Sequence, residues 1–303
     1  VVEVGLGGTW DSTNVIDAQV AVVTPISLDH THLLGDTVED IAWEKAGIIK
    51  PGALVVLAQQ PLEAAQVLLR QAAEVGATVA REGIEFGVMD RQLAVGGQQL
   101  VIKGLSQEYD NVYLPLYGAH QAHNAACAIA AVEAFLGAGQ GGGTLEPEIV
   151  REALAAVRSP GRLEVVRRSP TVLIDAAHNP GGALATAEAV AEEFSFDHLV
   201  GVIAAMRDKD VRGVLEAFEP VLAEVVVTRN STERAMPVAE LAAIAQEVFG
   251  PERVSAADRL DDAIEQAIGL AEQGVPDASL GGTGVLITGS VVTAGEAGRL
   301  LRR

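Results

Sequence analysis

The stretch Thr171-Val172-Leu173-Ile174-Asp175-Ala176-Ala177-His178-Asn179-Pro180 carries an apolar, β-branched run into a polar turn and then into a proline. Such a run reads as a buried strand, and a proline in that place suits the first position of a helix, where its missing N–H costs nothing. Strand, loop and helix in that order form the unit of a parallel α/β sheet, whose ligands sit beyond the carboxyl ends of the strands. An aspartate, a histidine and an asparagine in one such loop therefore point to function rather than to turn formation alone. The rhythm continues downstream: 199–204, 224–228 and 284–288 read as strands, 211–222, 237–249 and 260–273 as helices, and a short strand fits 253–256. Residues 163–167 face 171–175 across Ser169-Pro170 as a hairpin. The C-terminal half is expected to form an open, doubly wound, Rossmann-like α/β sheet.

Ser159-Pro160-Gly161 punctuates the chain ahead of that half, since Pro-Gly is a strong breaker. This divides the protein into residues 1–158 and 159–303. In the first part Val1-Val2-Glu3-Val4 reads as a buried strand running into Gly5-Leu6-Gly7-Gly8, and 20–25 as a second strand. A helix fits 37–47, with Thr37 and Asp40 spaced as a capping box. A strand at 54–57 and an amphipathic helix opened by Pro61 follow. Short alternating runs over 77–117 are expected as antiparallel strands decorating a mostly parallel sheet. An alanine-rich helix over 121–136, a glycine-rich loop over 137–143 and a helix over 146–157 complete this part.

The 303 residues are 49% apolar and 20% charged, a composition that supports a real core and excludes a mainly disordered chain. Lys and Arg number 21 against 41 Asp and Glu, a net charge of −20, which argues against a nucleic-acid-binding surface. No apolar run approaches the ~18–20 residues that span a bilayer. The single cysteine, Cys127, excludes a disulfide framework and a multi-cysteine zinc site, and fits a reducing cytoplasm.

Several polar clusters fall at expected strand ends, each with a plainer alternative. Gly5-Leu6-Gly7-Gly8 lacks the third glycine of a dinucleotide fingerprint, Trp10 standing there, so a dehydrogenase reading is weak. Glu3, an acid in an expected buried strand, must be paired or bind a metal. His30 in Leu28-Asp29-His30 reads first as a packing residue and second as a ligand. Lys45 in Glu44-Lys45-Ala46-Gly47 reads first as part of a helix C-cap with Gly47 at C′. Asn124 opens the alanine-rich helix as a cap or recognises a base. Arg162 beside Pro160-Gly161 is a surface residue or a phosphate contact. Met206-Arg207-Asp208-Lys209-Asp210 is a solvated loop or a carboxylate-recognition loop.

Taken together these segments resemble the folylpolyglutamate synthase/dihydrofolate synthase family of Mur-type ligases. The matching stretches are Glu3–Gly8 with Asp11-Ser12-Thr13-Asn14, Leu28-Asp29-His30 with Leu34-Gly35, and Glu44–Ile49. Then come Pro160-Gly161-Arg162, Asp175–Pro180, Asp208-Lys209-Asp210 and Ile287-Thr288-Gly289-Ser290. The resemblance implies the C-terminal part of a Mur-ligase-type central ATPase domain over 1–158, incomplete in that it holds no phosphate-binding loop. A Rossmann-like C-terminal glutamate ligase domain is implied over 159–303. It implies ATP and Mg2+ as cofactors, folate or dihydropteroate and L-glutamate as substrates, and a cytoplasmic monomer without nucleic-acid or membrane partners. The substrate carboxylate is phosphorylated by MgATP and the acyl phosphate is attacked by the α-amine of glutamate. Glu3 and His30 are implied as magnesium ligands, and Lys45, carbamylated, as the ligand of a second magnesium. Asn124 and Arg162 would contact the nucleotide, Asp175 the nucleotide or acyl phosphate, and His178 the reacting region, so that Lys45, Asp175 and His178 form the catalytic set. Asp11, Thr13, Asp208, Lys209 and Ser290 are implied in substrate binding.

Two departures qualify the resemblance. Thr9 and Ser12 stand where some relatives carry a basic residue and alanine, which leaves folate and dihydropteroate both open. The G-x-x-G-K-[ST] phosphate loop of the family is absent from these 303 residues, and a chain opening at Val1 in mid-strand is expected to continue a longer one. Without that loop's lysine and backbone cradle the chain alone is expected to have little or no ligase activity. The competing readings are a non-catalytic ligand-binding short form and a Mur-type ligase acting on a peptidoglycan precursor.

Overall fold

Runs such as Leu54-Val55-Val56-Leu57 leave no polar face, so they are stable only as strands covered on both sides. The computed structural model describes residues 1–137, 144–273 and 282–302, and divides them into two compact units. One is Val1–Pro115 with Ala119–Val157; the other is Leu116–Gly118 with the chain from Arg158 onward. The glycine-rich stretch read as a loop lies, beyond Gly137, outside the described residues.

The first unit contains β1 (Val20–Val23), α1 (Thr31–Leu34), α2 (Val38–Ala46), β2 (Leu54–Leu57), α3 (Leu62–Glu74), β3 (Thr78–Arg81), β4 (Gly87–Ala94), β5 (Gly97–Lys103), β6 (Glu108–Leu114), α4 (Ala119–Phe135) and α5 (Pro147–Ala155). β1, β2 and β3 form a parallel sheet in that order. Val23, Val55 and Leu57 pack one face of it against Ile41, Ala46, Val67 and Leu68 of α2 and α3. The alanines of α4 let that helix lie close to both β1–β2 and β4–β5. The capping box at Thr37 and Asp40 forms, each side chain accepting the other's backbone N–H at 3.1 Å.

Two expectations fail here. Residues 1–4 form no strand, and Val1 and Val2 are exposed. They pair with no described strand, and an extended segment without ladder partners buries neither face. β3, expected as antiparallel, pairs parallel with β2 because α3 returns the chain as a right-sized crossover. Only β4, β5 and β6 make an antiparallel meander. The stretch 27–36 holds the short helix α1.

The second unit contains β7 (Glu164–Arg168), β8 (Thr171–Ile174), α6 (Pro180–Glu193), β9 (Phe196–Ile203), α7 (Val211–Phe218), β10 (Glu224–Val227), α8 (Val238–Phe249), β11 (Val254–Ala256), α9 (Leu260–Gln273), β12 (Gly282–Thr288) and α10 (Val291–Leu301). The sheet order is β11-β10-β9-β12-β8-β7. All neighbours run parallel except the β7–β8 hairpin, whose turn holds a cis Ser169–Pro170 bond. Side chains alternate as a two-residue period requires. Leu173, Ile203 and Leu286 face α6, α7 and α8, while Val172, Ile174 and Ile287 face α9 and α10. Because β12 inserts between β9 and β8, the chains leaving the carboxyl ends of those three strands depart to opposite faces. That reversal is where an open α/β sheet makes a ligand crevice.

Phe218 is fully buried in the α6–α8 layer. Phe218→Ala should cost about 3–5 kcal/mol of stability, read as a lowered denaturation midpoint of the second unit. A change below about 1 kcal/mol would contradict this packing.

Candidate functional site

In the first unit the Gly5–Thr9 loop lies on the last turn of α2, which carries Lys45. Thr9 N donates to Glu44 O at 2.8 Å, and Thr9 Oγ1 donates to the same oxygen at 3.1 Å. A Cβ on Gly8 would lie 2.4 Å from Glu44 O and 3.0 Å from Lys45 Cα, and one on Gly47 would lie 2.1 Å from Thr9 Oγ1. Both glycines are therefore demanded by backbone approach. Gly47 was expected in the left-handed conformation of a C-cap, but its φ is −63°; it serves the contact with Thr9 instead. Lys45 is half-buried on this turn.

The loop beyond is organised by Asp11. Its Oδ2 accepts from Leu6 N at 2.8 Å, and its Oδ1 from Thr13 N at 2.9 Å and Thr13 Oγ1 at 2.6 Å. The Thr13 hydroxyl, then the Thr13 and Leu6 amides, hold the Asp11 carboxyl down to about 2. Asp11 and Thr13, read as substrate contacts, thus shape their own loop. Lys50 Nζ donates to Asn14 O at 3.1 Å and closes it.

Glu3 lies in an exposed, irregular segment rather than a buried strand, so nothing there forces it to pair. His30 caps α1 with φ 51°, a left-handed conformation costly for a side chain with a Cβ. Its amide donates to Asp29 Oδ1 at 2.8 Å, and its Nε2 stands 3.9 Å from Asp29 Oδ2. Among the described residues no three carboxylate, imidazole or thiol side chains come together as a metal centre. Asn124 does not open α4, which begins at Ala119; it is exposed inside the helix, its Nδ2 donating to Gln121 Oε1 at 3.4 Å.

In the second unit the site is the carboxyl edge around β8, β9 and β12. Asp175 is buried and takes three hydrogen bonds: Leu163 N at 2.8 Å on Oδ2, and Ala177 N at 2.8 Å and Thr186 Oγ1 at 2.9 Å on Oδ1. His178 Nδ1 stands 3.0 Å from Ala176 O and, facing a carbonyl, carries the hydrogen. Asn179 caps α6 by accepting from Gly182 N at 2.8 Å, with Pro180 at N1 as the sequence predicts. Arg162 is exposed.

Ser290, read as a substrate contact, is buried and caps α10, accepting from Thr293 N at 3.0 Å. It also takes a bond from Asn230 Nδ2 at 3.2 Å, and Thr293 Oγ1 donates to Ala204 O at 3.1 Å. Asn230 was not singled out in the sequence, although it follows β10 by three residues. Asp208 pairs with Arg234 at 2.6 Å, and Arg207 N donates to Arg234 O at 3.0 Å. Burial, the largest influence on Asp208, acts to raise its pKa. The Arg234 hydrogen bond, a backbone N–H and the Arg234 and Lys209 charges together bring it below its ordinary value. Asp210 caps α7 by accepting from Gly213 N at 2.9 Å.

Residues 1–132 match the family model described as the Mur ligase middle domain, and residues 161–291 the one described as the Mur ligase glutamate ligase domain. Over its whole length the chain is 52% identical to the dihydrofolate synthase/folylpolyglutamate synthase of Mycobacterium tuberculosis, of which it spans 64%. The fold is similar to that of the solved Mycobacterium tuberculosis folylpolyglutamate synthase complexed with ADP, with a TM-score of 0.95, covering 100% of this chain and 68% of that one. It is also similar to E. coli FolC in complex with DHPP and ADP, with a TM-score of 0.82 at 29% identity, covering 98% of this chain and 65% of that one.

The glycine contact has a direct consequence. Gly8→Ala should lift the loop off α2 and speed hydrogen exchange at the Thr9 amide by at least about tenfold, while the second unit keeps its protection. Unchanged Thr9 exchange would contradict the contact.

Proposed function

The chain belongs to the Mur ligase family, in its folylpolyglutamate synthase/dihydrofolate synthase branch, and on that premise we propose that the protein of which these residues are part joins L-glutamate to a folate or dihydropteroate carboxylate at the expense of ATP. The observation that carries this reading is the likeness, over the full chain and at 52% identity, to a synthase solved with ADP.

The chemistry has two steps. A substrate carboxylate oxygen forms a bond to the γ-phosphorus of ATP, the bond from that phosphorus to the β-phosphate oxygen breaks, and ADP leaves. The α-amine of glutamate then forms the amide bond to the acyl carbon, phosphate departs and the amine loses a proton. The first step turns a poor leaving group into a good one. Phosphoryl transfer asks of a protein mainly positioning and charge stabilisation, and the two units offer rigid elements for both. We assign Asn124 to the adenine and Arg162 to the phosphates. Asp175 holds the loop bearing His178, which we assign to the reacting acyl-phosphate region. Lys209, Asp208 and Arg207 form the loop assigned to the incoming glutamate. Ser290 acts by position, through its cap and the Asn230 bond. Asp11 and Thr13 shape the loop assigned to the pteridine substrate.

Magnesium enters as the ATP complex. It is bound elsewhere through one or two protein groups plus substrate phosphates and water, so it does not need a three-donor cage. The side chains assigned to it are Glu3 and His30, with carbamylated Lys45 assigned to a second magnesium, and what the ions supply is neutralisation of phosphate charge. Lys45 would serve after its neutral amine adds to CO2 and loses a proton, giving a carbamate anion. The cytoplasm, where ATP and reduced folates occur together, is the proposed location; no helix among the described residues is long and apolar enough to cross a membrane.

The native protein given ATP, L-glutamate and dihydropteroate or a folate should release one ADP per amide formed. Lys45→Ala should lower kcat by about 10²-fold or more, and Arg162→Ala should raise the KM for ATP. Absence of glutamate-dependent ADP release with either pteridine substrate, or turnover of a UDP-muramoyl substrate in their place, would overturn the proposal.

A further inference from the structure

Glu82 and His123 take no part in the chemistry above, yet they pair at the carboxyl edge of the first unit's parallel sheet, the carboxylate buried and the imidazole partly exposed. The Glu82 side chain is 2% exposed. Its Oε2 accepts from Gln59 N at 2.9 Å, and its Oε1 meets His123 Nδ1 at 2.5 Å. Gln59 follows β2, Glu82 follows β3 and His123 lies on α4, so one carboxylate ties two parallel strand ends to the first half of a helix. His123 immediately precedes Asn124.

The pair is electrostatically well defined. The hydrogen bond to Glu82 raises the His123 pKa above its ordinary 6.5, outweighing desolvation and the opposing charge of Arg91. Arg91 on β4 is itself bound through Nε to Gln98 Oε1 of β5 at 2.6 Å. Asp90 on β4 accepts from Gln92 Nε2, and Lys103 on β5 donates to Ile84 O. β1 and β2 carry no charged side chain. Cys127, one turn along α4, is buried, and its thiol is pushed up to about 12, first by desolvation and then by the Glu82 charge; it stays neutral.

We propose that Glu82 and His123 are positioning residues for nucleotide binding: their pair holds the start of α4 against the ends of β2 and β3 and so presents Asn124 to the adenine. This rests on the reading of Asn124 as an adenine contact. With protonated His123 the bond is charge-assisted and strongest. A histidine raised above its ordinary pKa gives its full contribution below about 6.5 and loses it as pH rises through the raised value. ATP affinity should follow the same course.

The test is the Kd of the native protein for ATP with magnesium against pH, alongside NMR titration of His123. Affinity should fall by about fivefold as His123 deprotonates, and saturating ATP should raise the His123 midpoint by the matching amount, about 0.7 pH units, because linkage is reciprocal. His123→Gln, which keeps a neutral donor to Glu82, should remove the step. A step that persists in His123→Gln, or a midpoint indifferent to ATP, overturns the proposal, and the NMR arm needs no variant to fold. Asn124→Ala separates the two levels. If it weakens ATP binding while the His123 step is absent, the positioning proposal alone fails; if it changes nothing, the adenine reading fails and takes the proposal with it.

Discussion

A carboxylate taken out of water must be given hydrogen-bond donors or it will not stay charged and buried. In each unit one such carboxylate sits at the carboxyl edge of a parallel sheet. In the second unit it is Asp175, which gathers the amide of Leu163 ahead of β7, the amide of Ala177 in its own loop and the hydroxyl of Thr186 on α6. In the first it is Glu82, which gathers Gln59 and His123. The donors come from separate elements, so satisfying the carboxylate fixes those elements to one another. A loop at the edge of a sheet, ordinarily its most mobile part, is thereby made rigid.

Rigidity of this kind suits the proposed phosphoryl transfer and amide formation, in which a protein gains rate by placing reactants rather than by bonding to them. The same design recurs without carboxylates. Gly8 and Gly47 let the Gly5–Thr9 loop reach the Lys45 turn at a spacing that no Cβ allows. Asn230, Ser290 and Thr293 bind the ends of β10 and β9 to the start of α10. Asp208 and Arg234 pair two neighbouring loops at the surface, where screening leaves such a bond little thermodynamic weight but some orienting value.

The second unit was legible for most of its elements, because its strands are continuous apolar runs and Asn179-Pro180 marks the start of α6; α10, capped by the Ser290 that was read as a substrate contact, was not anticipated. The first unit was legible where a local signal existed, as at the Thr37–Asp40 box and Pro61. It misled where pairing decides the outcome. Val1–Val4 has the composition of a strand, but a strand needs a neighbour. Thr78–Arg81 has the alternation of an antiparallel strand, but α3 delivers it parallel to β2, and with that error the strand end at Glu82 passed unnoticed. Candidate residues were located through loops at strand ends and through resemblance. What the sequence could not supply was the division between groups that point to a ligand and groups, such as Asp11, Asp175 and Ser290, whose polar atoms are spent within the fold.

The central claim is a ligase that activates a carboxylate as an acyl phosphate, and isotope transfer tests it most directly. With the acceptor carboxylate labelled by 18O, the oxygen that attacks the γ-phosphorus leaves with phosphate when glutamate displaces it. The account predicts one 18O atom in each phosphate released and none left behind in ADP. Unlabelled phosphate, formed while the displaced 18O appears in AMP or in water or while no amide forms at all, would contradict it.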